Sequence, residues 1–189
     1  VNDPIETDGP YQAVGCVFTA SKAAFPACWT ISTVGGQLQS DLQVLNQQPF
    51  SSASPSGINQ LGEIVGEGTT SAGQTVGLYW ANSNAATAPQ TLPILDDYDR
   101  SRAVGINNNG IICGCCEREV IGDDGETHFE CQPVLWRVNG GVVALGTLNR
   151  VVPPCRSTRS LPITSNSKFP PPGGSVTVAG LASSMIVTA

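Results

Sequence analysis

The feature that most constrains this sequence is an internal repeat. Residues 57–66 align with residues 105–114 at a constant offset of 48 positions, in the shared pattern Gly-Ile-Asn-x-x-Gly-x-Ile-x-Gly. Each segment is followed by an apolar pair and a tryptophan, and a partial copy lies upstream. The glycine and tryptophan that mark the three copies are Gly15 and Trp29, Gly66 and Trp80, and Gly114 and Trp136. Such a repeat predicts similar supersecondary units that share one core.

Within each copy the pattern predicts a small antiparallel sheet. A strand ends at Ile-Asn, and a turn at residues 60–62 or 108–110 reverses the chain, because glycine and asparagine tolerate positive φ. A further turn at residues 71–73, or a longer hairpin tip at residues 123–125, leads to the strand that ends in tryptophan. The repeated glycine suits close approach of neighbouring sheets, and the tryptophan fills the space between them.

The predicted fold class is all-β, a β-propeller-like array of antiparallel three- to four-stranded sheets. The units span about residues 11–50, 51–98 and 99–149 of a single repeat domain over residues 1–189, with fourth strands at residues 90–95 and 141–148. The spacing of Leu38, Leu42 and Leu45 is also compatible with a short helix, but the repeat register favours a strand there.

The pattern Gly-Ile-Asn-x-x-Gly-x-Ile-Val/Cys-Gly, the apolar pair with tryptophan, and the run Ala144–Leu148 together resemble the HAF-type extracellular repeat of bacterial surface and secreted proteins. The resemblance covers about residues 11–148, in two good copies and one partial copy. It implies secretion and a β-propeller-like fold, and it implies no catalytic residues. The cysteines depart from the family pattern, and Cys28 and Leu135 stand where an aromatic residue usually precedes the tryptophan.

Charge is sparse and unevenly distributed along the chain. Charged residues make up 13%, and the net charge of −6 argues against nucleic acid as a partner. Residues 1–130 carry fifteen acidic and four basic side chains, whereas residues 131–189 carry five basic and no acidic ones. Copies could attract one another head to tail, or the two parts could neutralise each other within one fold. No run of 18 apolar residues occurs, and membrane insertion is not predicted.

Seven cysteines in a small acidic chain favour an oxidising compartment, with reduced buried thiols as the alternative. Their spacing across the predicted hairpins favours one disulfide between Cys16 and Cys28, and another between Cys116 and Cys131. Cys115 is the next choice for Cys131. Cys155 is then left to pair with a remaining member of the cluster, such as Cys113, and the seventh cysteine is a candidate for an interchain bond.

Metal sites are the competing interpretation of these residues. A zinc site would use His128 with the clustered cysteines, namely Cys113, Cys115, Cys116 and Cys131, but one of the two usual Cys-x2–4-Cys knuckles is missing. The acidic runs at residues 96–99 and 123–126 could bind calcium, yet neither has EF-hand spacing, and solvated turns are favoured. The sequence therefore predicts no cofactor.

Candidate catalytic residues are few. His128 is the single histidine, and no Gly-x-Ser-x-Gly motif accompanies it. Glu63 and Glu67 lie near predicted strand ends, where a glycosidase pair cannot be distinguished from ordinary surface carboxylates. The sequence therefore predicts a protein that is not an enzyme.

The repeat does not close at either end. The first copy lacks a clear Ile-Asn strand, and three copies are fewer than the roughly four blades of the smallest closed propellers. Beyond a proline-rich connector at residues 150–174, the segment 175–189 is uncharged and β-prone. Its candidate assembly residues are Val176, Val178, Leu181, Met185, Ile186 and Val187. The two ends could complete a fourth unit within one chain, or the segment could add a strand to a neighbouring copy.

These features predict a non-catalytic structural protein located outside the cell or at its surface. Its favoured partner is another copy of itself, in a filament or matrix built through the C-terminal strand. The alternative is a monomeric, propeller-like module that binds a surface glycan or another protein.

Overall fold

The computed structural model describes residues 10–123 and 125–146, and this part of the chain is all-β, without a helix. The predicted all-β class is thereby confirmed. The strands are β1 (Tyr11–Phe18), β2 (Ala24–Val34), β3 (Gln37–Val44), β4 (Ser52–Ile58), β5 (Ile64–Thr69), β6 (Thr75–Trp80), β7 (Gln90–Thr91), β8 (Arg100–Ile106), β9 (Ile111–Ile121), β10 (Thr127–Arg137) and β11 (Val142–Ala144).

The strands form three antiparallel sheets, and each sheet is a simple meander. The first sheet has the order β1-β2-β3, the second β4-β5-β6-β7, and the third β8-β9-β10-β11. Leu38 and Leu42 therefore lie in strand β3, and Leu45 directly follows it, which excludes the short helix that the spacing of these leucines also allowed. β7 and β11 are shorter than the predicted fourth strands, at two and three residues. Over the described residues these sheets close neither a barrel nor a propeller.

The turns of the second and third sheets are built on the same asparagine. The Asn59 side chain accepts hydrogen bonds from the backbone N–H groups of Leu61 and Glu63, each at 3.0 Å. Asn107 accepts the equivalent bonds from the residues two and four positions later. Gly62 closes the first of these turns with φ of 78°, a left-handed conformation that glycine adopts without a steric penalty. The two turns share this hydrogen-bonding geometry because both contain the Ile-Asn-x-x-Gly part of the repeat.

The register of each sheet places its tryptophan opposite the same position. Trp80 pairs with Ile64 and Trp136 pairs with Ile112. In the first sheet Trp29 pairs with Ala13. The strands of the three sheets therefore correspond: β1, β5 and β9 are equivalent, and so are β2, β6 and β10. β4 and β8 are equivalent first strands, each with a bulge at the same position, and the described part of the first sheet has no counterpart of them.

The core lies between the sheets as two layers. One layer joins the first and second sheets around Trp80, and the other joins the second and third sheets around Trp136. Both indoles are almost completely buried. Because successive side chains of a strand point to opposite faces, the middle sheet contributes to both layers. It supplies Ile64 and Leu78 to one layer and Val65 and Tyr79 to the other.

Candidate functional site

The sheets stack through one contact that is used twice. β4 lies against β1 and β2, and β8 lies against the equivalent strands β5 and β6, so the first strand of one sheet packs on the same two strands of the sheet before it. Each sheet thus has a trailing face, which carries its tryptophan toward the preceding sheet, and a leading face, which meets the following sheet. The position before the tryptophan, Cys28 or Tyr79, belongs to the leading face. The array of sheets is therefore directional, because its two ends present different faces.

Hydrogen bonds repeat across both contacts. The Trp80 indole N–H donates to the Asn46 carbonyl oxygen at 2.7 Å, and the Trp136 indole N–H donates to the Pro93 carbonyl oxygen at 2.7 Å. Each acceptor directly follows a leucine whose backbone N–H bonds to the tryptophan-bearing strand of its own sheet; the leucines are Leu45 and Leu92. A buried indole N–H requires an acceptor, and the preceding sheet supplies it each time.

No described sheet packs on the trailing face of the first sheet, although its small residues Ala13 and Ala27 are buried. Trp29 is only half-buried, and the structure records no acceptor for its indole N–H among the described residues. On strand β3 of the same face, Leu38 and Leu42 are 72% and 52% exposed. The remaining members of this face, from Tyr11 through Val44, include no charged side chain: they are Tyr11, Ala13, Gly15, Val17, Phe25, Ala27, Ile31, Thr33, Ser40 and Val44. An uncharged, largely apolar face of this kind is a candidate interaction surface.

The leading face of the third sheet is uncovered in the same sense. Leu45 and Leu92 are buried at 3% and 6% exposure, whereas the equivalent Leu145 is 40% exposed. Cys113 is exposed, although its counterpart Val65 is fully buried. Both differences have the same cause. A following sheet covers the equivalent positions of the preceding units, and no described sheet covers those of the third sheet. The described part of the chain therefore has two uncovered faces, and they are equivalent to the two sides of the contact that occurs twice within it.

The register corrects the predicted disulfides. Cys16 lies opposite Pro26, and Cys28 lies opposite Val14, so the two cysteines are diagonal neighbours and not a facing pair. Diagonal Cα atoms lie about 7–8 Å apart, beyond the usual reach of a disulfide. None of the six described cysteines is bonded to another.

The second predicted pair, Cys116 with Cys131, is wrong for a different reason. Cys116 lies opposite Gln132, one position away from Cys131, so its side chain points to the other face of the sheet. It is buried in the core layer around Trp136. Hairpin symmetry does not fix strand register to within one residue. An error of one residue moves a side chain to the opposite face of the sheet. Cys155 lies outside the described residues, so its pairing with Cys113 stays a prediction.

Three thiols lie on the leading face of the third sheet, those of Cys113, Cys115 and Cys131. Burial is the main cause that raises the pKa of the Cys115 thiol, and its hydrogen-bonded neighbours Cys131 and Glu117 raise it further. The five residues of the zinc interpretation are not brought together, because Cys116 points away from the other thiols. Over residues 10–123 and 125–146 the structure has no cluster of three or more histidine, cysteine or acidic side chains arranged to hold a metal ion.

The two candidate glutamates take part in contacts within the fold. Glu63 accepts hydrogen bonds from the Tyr79 hydroxyl at 2.7 Å and from the Asn59 amide at 2.6 Å, which fixes the turn before β5. Glu67 forms an ion pair of 3.1 Å with Arg102 across the second contact. His128 lies in β10 opposite Val120, the acidic run at residues 96–99 lies in the turn before β8, and Asp123 and Glu126 lie at the tip of the β9–β10 hairpin. The geometry therefore does not bring these groups into one site.

The leucine that follows the tryptophan-bearing strand in each unit was not identified from the sequence. Leu45, Leu92 and Leu145 follow their tryptophans by 16, 12 and 9 residues, because the loop before the last strand differs in length between units. A repeat search at constant offset does not align them. The terminal segment 175–189, with all of the predicted assembly residues, lies outside the described residues.

Comparison with models of protein families, with curated proteins and with solved structures found no match. In the part of the chain that the structure describes, no helix has the length and apolar character to cross a membrane.

Proposed function

We propose that this protein is a non-catalytic, extracellular structural subunit that assembles with copies of itself. The leading face of the third sheet in one copy packs on the trailing face of the first sheet in the next, and the C-terminal segment 175–189 links the two. Because the surfaces in contact are different, the contact is heterologous and propagates into a filament or matrix.

One observation carries this proposal: the two uncovered faces are equivalent to the two sides of a contact that already occurs twice within the chain. Trp29 is equivalent to Trp80 and Trp136, and the carbonyl of Gly146 is equivalent to their acceptors at Asn46 and Pro93. In the proposed assembly the Trp29 indole donates to the Gly146 carbonyl of the preceding copy. The apolar area that Trp29 and β3 expose would be covered as it is in the internal contacts.

The stacking and the repeat length also support a propeller-like arrangement of sheets, as does the resemblance of residues 11–148 to HAF-type repeats. Three units are fewer than a closed ring of about four blades needs, which favours continuation from copy to copy. The acidic part before residue 131 and the basic part after it favour the same head-to-tail order. Extracellular location rests on the seven cysteines and on the resemblance.

Sedimentation velocity of the full chain over a concentration series, together with negative-stain electron microscopy, tests this function. We expect the mean mass to grow with concentration, and we expect linear particles at the upper end of the series. The same measurement under reducing conditions is the control for interchain disulfides. A single monomeric species at every concentration would refute the proposed function.

A second candidate function rests on a cleft between the first and second sheets. The cleft has a volume of about 300 Å³, and its lining includes Glu67 and Phe18, which is 73% exposed. An exposed aromatic ring and a carboxylate in one cleft suit the stacking and hydrogen bonding of a sugar. Binding on a glycan array that is lost in Phe18→Ala would favour this monomeric binding module, and an array without hits would count against it.

A further inference from the structure

The described part of the first sheet has a free edge where the other two sheets carry their first strand. β4 pairs with β5, and β8 pairs with β9, but no described strand pairs with the outer edge of β1. The edge strand of a sheet presents unpaired backbone groups that another strand can bind. The missing partner would be a counterpart of β4 and β8.

A glycine on β1 is shaped for such a partner. A Cβ atom on Gly66 would overlap the backbone of Ser54 in β4, and one on Gly114 would overlap the backbone of Arg102 in β8. Both glycines are therefore required by the close passage of a first strand. Gly15 is their equivalent on β1, yet a Cβ atom there would meet only the Trp29 ring, at 3.4 Å. The first sheet retains the glycine without a described strand that needs it.

The C-terminal segment contains a sequence that matches β4 and β8. Ser175-Val-Thr-Val-Ala-Gly-Leu181 aligns with Ser52-Ala-Ser-Pro-Ser-Gly-Ile58 and with Arg100-Ser-Arg-Ala-Val-Gly-Ile106. Glycine is shared at the sixth position and a branched aliphatic residue at the seventh. The second and fourth positions, whose side chains are buried in both known strands, are small or aliphatic in all three. The match ends at Ala182, where the known units have asparagine.

We infer that residues 175–181 are the first strand of a further unit and that they complete the first sheet of the next copy by pairing with the free edge of β1. The inference deepens the proposed assembly by naming the linking strand and its register. In β4 and β8 the seventh position lies opposite Ile64 and Ile112, which places Leu181 opposite Ala13. By the same register Val178 lies opposite Gly15, and Thr177 lies opposite Cys16.

The connector explains why this strand can reach a second copy. Twenty-eight residues, 147–174, separate the last described residue from Ser175, and an extended chain of that length spans up to about 90 Å. Pairing with β1 of the same chain would require a closed ring of three sheets, below the roughly four blades that propellers use. Donation to a neighbour avoids that constraint, and Val176 and Val178 then cover the leading face of the third sheet of their own copy.

Cross-linking tests the register directly. In the Thr177→Cys variant, mild oxidation should join the introduced thiol to Cys16 of another molecule, giving a ladder of reducible oligomers on a denaturing gel. Peptide mass spectrometry should identify the Cys16 linkage. Val178→Cys is the matched control, because its side chain points to the opposite face and should not link to Cys16.

The outcomes separate the strand assignment from the assembly. A link to Cys16 within a single chain would support the assigned strand and overturn the polymer proposed above. No link to Cys16, or equal linking from both variants, would overturn the assigned strand while leaving oligomerisation measurable by sedimentation.

A pair of proline variants provides a second test that needs no oxidation. β4 has Pro55 at the position equivalent to Val178, so that position does not require a backbone N–H. Hydrogen-bonded positions alternate along an antiparallel edge strand. The backbone N–H at the preceding position, that of Thr177, is therefore expected to donate to the adjacent strand. We therefore expect Val178→Pro to retain assembly and Thr177→Pro to abolish it. Equal effects of the two variants would contradict the register.

Discussion

Trp29, Trp80 and Trp136 occupy the same register position in their sheets, and they differ in how much of each indole is covered. Trp80 and Trp136 are fully buried, and each donates a hydrogen bond to the sheet before it. Trp29 has the same strand partners on its own sheet but no described sheet in front of it. The fold therefore explains the tryptophan at two positions, and the proposed assembly would explain it at the third.

Alanine variants of two tryptophans should separate these roles. Trp136→Ala should lower the free energy of unfolding by about 3–5 kcal/mol, because it leaves a cavity in a closed core layer. Trp29→Ala should cost the isolated chain about 1–2 kcal/mol, because the side chain is only half-buried, and it should abolish oligomers. Denaturant unfolding at low protein concentration and sedimentation at high concentration measure the two effects. Equal loss of stability in both variants would contradict the open trailing face.

Cys115 should be a slow nucleophile despite its place on an uncovered face. Its raised pKa lowers the thiolate fraction near about pH 8.5, where an ordinary cysteine is half ionised. Iodoacetamide labelling followed by peptide mass spectrometry should therefore modify the exposed Cys113 well before Cys115. The rate at Cys115 should keep rising with pH above that point. Comparable rates at the two residues around neutral pH would show that Cys115 is not buried.

At the scale of elements, the strands and turns were largely predictable and the pairing of cysteines was not. The Ile-Asn-x-x-Gly signal predicted the turns because asparagine and glycine satisfy local backbone geometry, independent of the rest of the chain. Which cysteines face each other depends on strand register, which places Cys28 opposite Val14 and Cys116 opposite Gln132. A shift of one position changes the face of the sheet, so a spacing rule cannot determine it.

The free edge of β1 leads to a prediction about equivalent glycines. Gly66→Ala should destabilise the fold by about 1–3 kcal/mol, because the added methyl group overlaps the backbone of β4. Gly15→Ala should leave the unfolding midpoint of the isolated chain nearly unchanged, because only the Trp29 ring is nearby. It should nevertheless block assembly by obstructing the donated strand. Assembly of Gly15→Ala at the level of the unchanged protein would exclude close pairing along this edge.

At the scale of the whole molecule, the repeat length predicted three similar sheets, while the way they stack came only from the structure. Composition and periodicity define which face of a strand is apolar, but they do not say which neighbouring sheet covers it. Equivalent contacts define how the sheets stack: Cys16 with Ser54 and Glu67 with Arg102 join the same two positions in successive units. Comparing equivalent positions also identifies the uncovered face at each end of the described array.

Mixing two end variants tests the central claim, that the two open faces are halves of one heterologous contact. Leu42→Lys places a charge on the trailing face of the first sheet, and Leu135→Lys places one on the leading face of the third. Each variant alone should sediment as a monomer, because each has lost one half of the contact. An equimolar mixture should form a complex of one molecule of each and grow no further. A mixture that stays monomeric, or either variant polymerising alone, would contradict the account.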